Sequence, residues 1–107
     1  MSKEIPKKVQ KSIQTYLKIL KEDDLPITRV LLFGSYAKGT AKSWSDVDLC
    51  IISPRFRDPW LALQYLWAKR VEDKGATIEP IGFSPKDFAE ESPLIQEVKR
   101  SGIEIKR

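Results

Sequence analysis

Two apolar runs in the first half of the chain restrict the fold more than any other feature. The first run ends with Leu31, Leu32 and Phe33 directly before Gly34, and the second covers residues 49–52. An apolar run that is too short for a helix and is bounded by turn residues is typical of a strand buried on both faces. The connection over residues 38–45 is polar and predicts a surface loop. We therefore expect strands over residues 27–33 and 46–52, with the first strand central in its sheet.

Helical signals flank these two strands. Apolar side chains recur every three to four residues over residues 6–21 and predict an amphipathic helix. Asp58 is a typical N-cap and Pro59 a typical first helical residue, which predicts a further helix running through Val71. Gly75 marks the turn that follows this helix. A short helix over residues 35–38 connects the two strands.

The last third of the chain predicts smaller elements. Residues 77–83 indicate a third strand, and Pro80 inside it favours an edge position or a bulge. Ser84 begins a capped helical turn, residues 93–101 form a last helix ending at Gly102, and residues 103–105 add a short strand. The predicted fold class is α/β (α+β), with a small mixed β-sheet flanked by helices.

Length and composition exclude several classes of protein. A chain of 107 residues predicts one domain over residues 1–107, too small to hold a separate module for gripping a nucleotide base. Histidine is absent, which excludes Ser-His-Asp triads, histidine general bases and imidazole zinc sites. The only cysteine, Cys50, lies in an apolar run and is expected to be a core residue rather than a nucleophile.

Charge and hydropathy indicate the compartment and the partners. The net charge of +4 suits an anionic ligand, but the lysines are spread along the chain, so nucleic acid is not the expected substrate. No apolar stretch approaches the length of a membrane span, and residues 1–10 lack the apolar middle of a secretion signal. We expect a cytoplasmic protein without a membrane partner.

Asp46 and Asp48 open the second strand and are the first candidate site residues. Side chains alternate along a strand, so both carboxylates point to the same face. Paired carboxylates before an apolar run are costly unless a cation holds them, which favours a metal site over a capped loop with an edge carboxylate. Gly34 and Ser35 follow the first strand, where backbone N–H groups at a strand-to-helix turn attract phosphate. A turn glycine followed by a helix-capping serine is the alternative for this pair.

The segments GSYAKG and SDVDL together resemble the Gly-Ser and Asp-x-Asp signature of the polymerase-beta-type nucleotidyltransferases. More narrowly, the chain is similar to the minimal nucleotidyltransferases, or MNT proteins, and its final SPLIQEVKRSGIEIK is similar to their closing helix and strand. The resemblance implies a nucleotidyltransferase fold and a transferase that binds two Mg²⁺ ions and uses ATP. It also implies transfer of AMP to a hydroxyl, such as a tyrosine, on a small helical HEPN toxin, with the chain as antitoxin.

The resemblance assigns roles to particular residues. Asp46 and Asp48 would hold the metal ions, which neutralise charge while the α-phosphate is attacked and pyrophosphate leaves. A third acid from a neighbouring strand is expected to share the catalytic metal, and Glu79 is our candidate; a solvated edge-strand acid is the alternative. Relatives often carry aspartate there, and Pro80 follows Glu79 directly, which departs from the common pattern. Gly34 and Ser35 would bind phosphate, and Lys38, where many relatives have arginine, would assist or remain solvated.

Other readings stay open at this point. A chain that keeps the fold but neutralises a toxin by masking its surface, without catalysis, would fit the Glu79-Pro80 departure. Transfer to a small molecule would need an acceptor pocket that a chain of this length hardly supplies. Among the aromatic residues, Tyr36, Trp60, Tyr65 and Trp67 are expected to pack in the core, with an exposed strip as the alternative for the last three. Trp44 lies in a polar loop and is expected to stack on a base or a partner.

Overall fold

The computed structural model describes residues 5–71 and 75–106. The helices of the described chain are α1 (Lys7–Glu22), α2 (Ser35–Lys38), α3 (Pro59–Ala68), α4 (Pro85–Phe88) and α5 (Pro93–Ser101). The strands are β1 (Arg29–Phe33), β2 (Val47–Ile52), β3 (Ile78–Phe83) and β4 (Ile103–Glu104). None of the described helices is long and apolar enough to cross a bilayer. The architecture confirms the predicted mixed sheet flanked by helices.

The four strands form one sheet in the order β3-β2-β1-β4. β1 pairs antiparallel with β2 and β4, and β2 pairs parallel with β3. β1 is thus an inner strand, as its apolar sequence predicted, and β2 is the other inner strand. The parallel pairing follows from α3, because a helical crossover returns the chain to the same end of the sheet. The carboxylates at the start of β2 therefore lie next to the start of β3.

Each face of the sheet carries its own apolar core. Val30 and Leu32 of β1 face the larger core, which α1 and α3 cover, whereas Leu31 faces a smaller core. The smaller core is closed by Phe88 of α4 and by α5, whose inward residues are Ile95 and Val98. Because alternate residues of a strand point to opposite faces, the side chain of Asp48 lies on the α5 face with Cys50. The site acids thus lie beside the smaller core.

The free edge of β3 is protected by a proline and a tryptophan. Pro80 contributes no N–H to that edge, and its carbonyl accepts a 3.1 Å hydrogen bond from the indole Nε1 of Trp67 on α3. Arg70 lies over the indole ring at 4.0 Å from its centroid. An unprotected edge would invite pairing with another chain, so this contact removes one acceptor from it. The edge position predicted from Pro80 is confirmed.

Several predicted boundaries shift, and one is corrected by more than two residues. The helix expected to run from Pro59 to Val71 ends at Ala68, with Lys69 as its C-cap. The turn assigned to Gly75 includes residues 72–74, which lie outside the described residues. The N-caps Asp58 and Ser84 and the C-cap Gly102 are confirmed. β2 begins at Val47 rather than Asp46, because the paired ladder with β3 starts there.

The aromatic residues divide between the core and the surface. Tyr36 is buried, as expected, and Tyr65 is half-buried with its hydroxyl donating to Asp23. The expectation of core packing is wrong for Trp60 and Trp67, which are 63% and 43% exposed. α3 packs mainly through Ala62 and Leu66, and the helix is apolar nearly all round, so its outward face must carry apolar side chains.

Candidate active site

The junction between β1 and α2 forms one wall of the candidate site. β1 ends at Phe33, and Gly34 follows with φ of 74°, a conformation that glycine adopts without a steric penalty. Gly34 is the N-cap of α2, and its carbonyl accepts the N–H groups of Ala37 and Lys38 at 3.1 Å each. No side chain caps this helix, so the reading of Ser35 as an N-cap is wrong: Ser35 is the first helical residue. Its hydroxyl and the leading N–H groups remain available to a phosphate.

The acids come together through strand register. In the antiparallel ladder Asp48 lies opposite Phe33, and in the parallel ladder it lies opposite Glu79. Register partners of adjacent strands point to the same face, so the carboxylates of Asp48 and Glu79 are neighbours. Asp46, two residues before Asp48, points to that face as well. The fold thus brings all three predicted acids to one end of the sheet.

Asp48 packs directly against Gly34. An ideal Cβ placed on Gly34 would lie 2.1 Å from Oδ2 of Asp48, closer than any non-bonded contact allows. Glycine at this position is therefore required twice, by its positive φ and by the space that the carboxylate occupies. The two halves of the sequence motif are in contact in the folded protein.

The electrostatics of the three acids reflect their crowding. Burial, and then the charge of Asp46, raise the pKa of Asp48 above its ordinary value. A side-chain hydrogen bond with Asp46 contributes most to raising the pKa of Glu79, followed by burial and by the charges of Asp46 and Asp48. Arg70 opposes this shift by lowering the pKa of Glu79. Like charges this close disfavour their joint ionisation unless a cation compensates them.

The donor set suits a hard divalent cation. Carboxylate oxygens are the ligands that Mg²⁺ prefers in proteins, and half-buried Asp48 and Glu79 gain most from a neutralising charge. In the described part of the chain, however, no three acidic or cysteine side chains are already arranged as a metal-ligand group. The Glu79 carboxyl instead lies close to Asp46, and that proximity is the largest cause of its raised pKa. A metal ion bound between the acids would compensate their like charges.

Lys38 has a partner that the sequence did not indicate. Its Nζ lies 2.6 Å from Oε1 of Glu97 on α5, and Glu97 also pairs with Arg100 at 2.7 Å. Sequence reasoning missed both Glu97 and Arg70 as neighbours of the site. The only local signal for Glu97 was its i, i+3 spacing to Arg100, because its contact with Lys38 depends on how α5 packs near α2.

Trp44 stands out from the surface beside the acids. The indole is 79% exposed, two residues before Asp46. Ser45 closes the turn below it: its N–H donates to the carbonyl of Lys42 at 3.0 Å, and its Oγ accepts from the Lys42 N–H at 2.8 Å. The hydroxyl of Tyr36 also donates to that carbonyl, at 3.4 Å. The turn is therefore tied to α2, and it presents an aromatic ring near the site.

Comparison with known proteins agrees with this geometry. The family model for the nucleotidyltransferase domain matches residues 13–105. A protein of Methanocaldococcus jannaschii, named "Putative protein adenylyltransferase MJ1305", is 40% identical over 79 residues, which cover 68% of this chain and 52% of that protein. The chain thus spans about half the length of this curated relative.

Solved structures share the fold at low sequence identity. A crystal structure titled as a putative nucleotidyltransferase of Sulfolobus solfataricus superposes with a TM-score of 0.52 at 16% identity, covering 92% of this chain and 86% of that one. A toxin-antitoxin structure with AMP-PNP gives 0.53 at 20% identity, covering 85% and 69%. A mutant of the toxin-antitoxin MntA-HpeT gives 0.53 at 18% identity with the same coverage. With the family model spanning both motif halves, the chain belongs to the nucleotidyltransferase domain family.

Proposed function

We propose that this chain is a Mg²⁺-dependent nucleotidyltransferase that transfers AMP from ATP to a hydroxyl of a partner protein. The observation that carries the proposal is the strand register that sets Asp48 beside Glu79 and against Gly34. A carboxylate group and a phosphate-binding turn in contact are what attack on a nucleoside triphosphate requires. The adenylyltransferase name of the M. jannaschii relative supports AMP as the transferred group.

The β1–α2 junction would bind the triphosphate. The leading N–H groups of α2 and the hydroxyl of Ser35 would donate hydrogen bonds to phosphate oxygens. Gly34 would let the chain approach the phosphates closely, because it has no side chain. Lys38 would add a positive charge through its ammonium group, which does not form the paired hydrogen bonds that an arginine makes with phosphate.

The acids would hold Mg²⁺, and one of them would accept the proton of the acceptor hydroxyl. Asp46, Asp48 and Glu79 are the expected ligands, and the bound metal supplies neutralisation of charge on the phosphate oxygens. The acceptor oxygen forms a bond to the α-phosphorus, the bond from that phosphorus to the bridging oxygen breaks, and pyrophosphate leaves. The hydroxyl proton would pass to Glu79 or to solvent.

The partner we propose is a toxin, with this chain as its antitoxin. Two similar folds belong to toxin-antitoxin structures, one of them titled with AMP-PNP. The MNT resemblance of GSYAKG and SDVDL favours a small helical HEPN protein as that toxin. We place the reaction in the cytoplasm, where ATP is available.

The decisive experiment incubates the purified chain with α-labelled ATP and Mg²⁺, with and without the product of a neighbouring reading frame, and measures the intact mass of both proteins. One or more AMP units on the partner, lost in Asp46→Asn, would support the proposal. Asp24→Asn is the matched control: Asp24 is an exposed acid with φ of 59°, which asparagine adopts readily. The control should keep full transfer, whereas equal loss in both variants would contradict a specific role for Asp46.

A second candidate function is neutralisation by masking, without catalysis. The lack of a ready group of three metal ligands among the described residues favours it, as do the exposed side chains of Trp44 and Trp60. In that case the chain would form a stable complex with the toxin, no label would be transferred, and Asp46→Asn would still neutralise the toxin.

A further inference from the structure

Glu97 on α5 lies outside both halves of the sequence motif, yet it contacts α2, the short helix that follows the phosphate-binding turn. Its Oε1 accepts from Lys38 Nζ at 2.6 Å and its Oε2 accepts from Arg100 at 2.7 Å. The hydroxyl of Ser101 reaches Oε1 at 3.4 Å and donates to the carbonyl of Glu97 at 2.9 Å. Both carboxylate oxygens are therefore engaged by donors, which fixes the side chain on α5.

The charges of this cluster leave Lys38 available to a phosphate. Arg100 already balances the negative charge of Glu97, so the cluster of Lys38, Glu97 and Arg100 keeps one net positive charge. A lysine ammonium has three N–H donors, and Glu97 takes one of them. The hydrogen bonds with Lys38 and Arg100 lower the pKa of Glu97 to about 2, so the carboxylate stays ionised at neutral pH.

The exposure of Lys38 and Glu97 indicates how their contact restricts the lysine side chain. The side chain of Lys38 is 48% exposed and that of Glu97 is 27% exposed. A free lysine on a four-residue helix would sample many rotamers, and a ligand that orders it would bear that entropic cost. An anchored ammonium has already lost part of this freedom before the ligand arrives.

We infer that Glu97 is a positioning residue that fixes the Lys38 ammonium for the phosphates of a nucleoside triphosphate bound at the β1–α2 junction. This inference rests on the proposed function, because it takes that junction as the phosphate site. Glu97 itself touches no substrate. It acts through Lys38, so it governs nucleotide affinity rather than the chemical step.

The test measures the dissociation constant of AMP-PNP in the presence of Mg²⁺ by titration calorimetry. The wild type is compared with three variants: Glu97→Gln, Lys38→Ala and the double variant. Circular dichroism establishes that each is folded at the titration temperature. We expect Glu97→Gln to weaken binding roughly fivefold, as suits a partly exposed charge-assisted bond. Because Glu97 acts through Lys38, adding Glu97→Gln to Lys38→Ala should change binding no further.

The matched control is Glu104→Gln, the same chemical change in the Arg29–Glu104 ion pair between β1 and β4, where the two groups are also 2.7 Å apart. It should leave the dissociation constant unchanged. If the wild type binds AMP-PNP and Glu97→Gln binds equally well or more tightly, the positioning role is overturned while the proposed function stands. The same holds if Glu97→Gln weakens binding further in the Lys38→Ala background. If the wild type does not bind AMP-PNP at all, both the proposed function and this inference fail.

Discussion

The carboxylate of Asp48 occupies the space in which any other residue at position 34 would place its Cβ, 2.1 Å from Oδ2. Gly34 and Asp48 come from different halves of the motif, and their contact joins the phosphate-binding turn to the acids. The contact explains why a glycine stands directly before α2 in a chain whose acids lie at the start of the next strand. It also makes position 34 a place to test the site without removing an acid.

We expect Gly34→Ala to reduce AMP transfer about a hundredfold, because the new methyl group displaces the Asp48 carboxylate. Backbone strain should also lower the free energy of unfolding by about 1–3 kcal/mol, because φ of 74° with ψ of −153° is a region that essentially only glycine adopts. Transfer assays and urea unfolding measure the two effects. Gly39→Ala is the control for a positive φ: Gly39 lies in the left-handed helical region, with φ of 78° and ψ of 19°, and its substitution should cost about 1–2 kcal/mol without displacing a carboxylate. Equal activity loss in both variants would contradict the role of the Asp48 contact.

Replacing Asp48 by asparagine should separate activity from stability. AMP transfer should fall by about two orders of magnitude or more, because a metal ligand is lost. The pKa of Asp48 is raised, chiefly by burial, so the folded protein binds this proton more tightly than the unfolded chain. Ionisation of the Asp48 carboxyl therefore lowers the free energy of unfolding as the pH rises above 3.8, the ordinary pKa of an aspartate.

Thermal unfolding without metal should therefore show Asp48→Asn more stable than the wild type at pH 7. The difference should shrink as pH falls towards 3.8 and below, where Asp48 is protonated in both states. A variant that is less stable than the wild type at pH 7 would indicate that Asp48 makes favourable contacts outweighing its desolvation.

The contribution of Glu97 to stability should depend on pH in the opposite direction to that of Asp48. Its pKa is lowered to about 2 by Lys38 and Arg100, so its stabilising contribution is fully present above the ordinary value of 4.5 and is lost as pH falls through the folded value. Melting temperatures of the wild type and Glu97→Gln should differ at pH 6 and converge between pH 4.5 and 2. A difference that stays constant across this window would exclude an ionised Glu97 as its source.

Trp67, which bonds to the free edge of β3, should contribute more to the free energy of unfolding than the exposed Trp60. Trp67→Phe loses the hydrogen bond to the Pro80 carbonyl and should lower the free energy of unfolding by about 1 kcal/mol. Trp60→Phe should change it by less than about 0.5 kcal/mol, since Trp60 is 63% exposed. Urea unfolding of both variants tests this. Equal effects would mean that the indole bond does not stabilise the edge.

Cys50 should be chemically silent in the folded protein. It is fully buried, and burial raises the pKa of its thiol to about 12. Only thiolates react readily with disulfide reagents, so we expect no labelling by Ellman's reagent in buffer and one thiol per chain in denaturant. Rapid labelling of the native protein would show that the smaller core opens on the time scale of the assay.

Local chain geometry accounts for what the sequence by itself determined. The spacing of Val9, Ile13 and Tyr16 defined the buried face of α1, and Asp58 defined the start of α3, because caps and helical periodicity depend only on residues a few positions apart. In the same way, the two-residue spacing of Asp46 and Asp48 placed both carboxylates on one face. The end of α3 was less predictable, since no strong stop signal follows Ala68.

Only the tertiary structure decided which distant residues meet. The parallel register of β2 and β3 places Glu79 beside Asp48, and a shift by one residue would have turned Glu79 to the opposite face. The Lys38–Glu97 pair needs α5 beside α2, and the exposure of Trp67 depends on its contact with the edge of β3. Such contacts arise from packing between elements far apart in the chain, which no local pattern encodes.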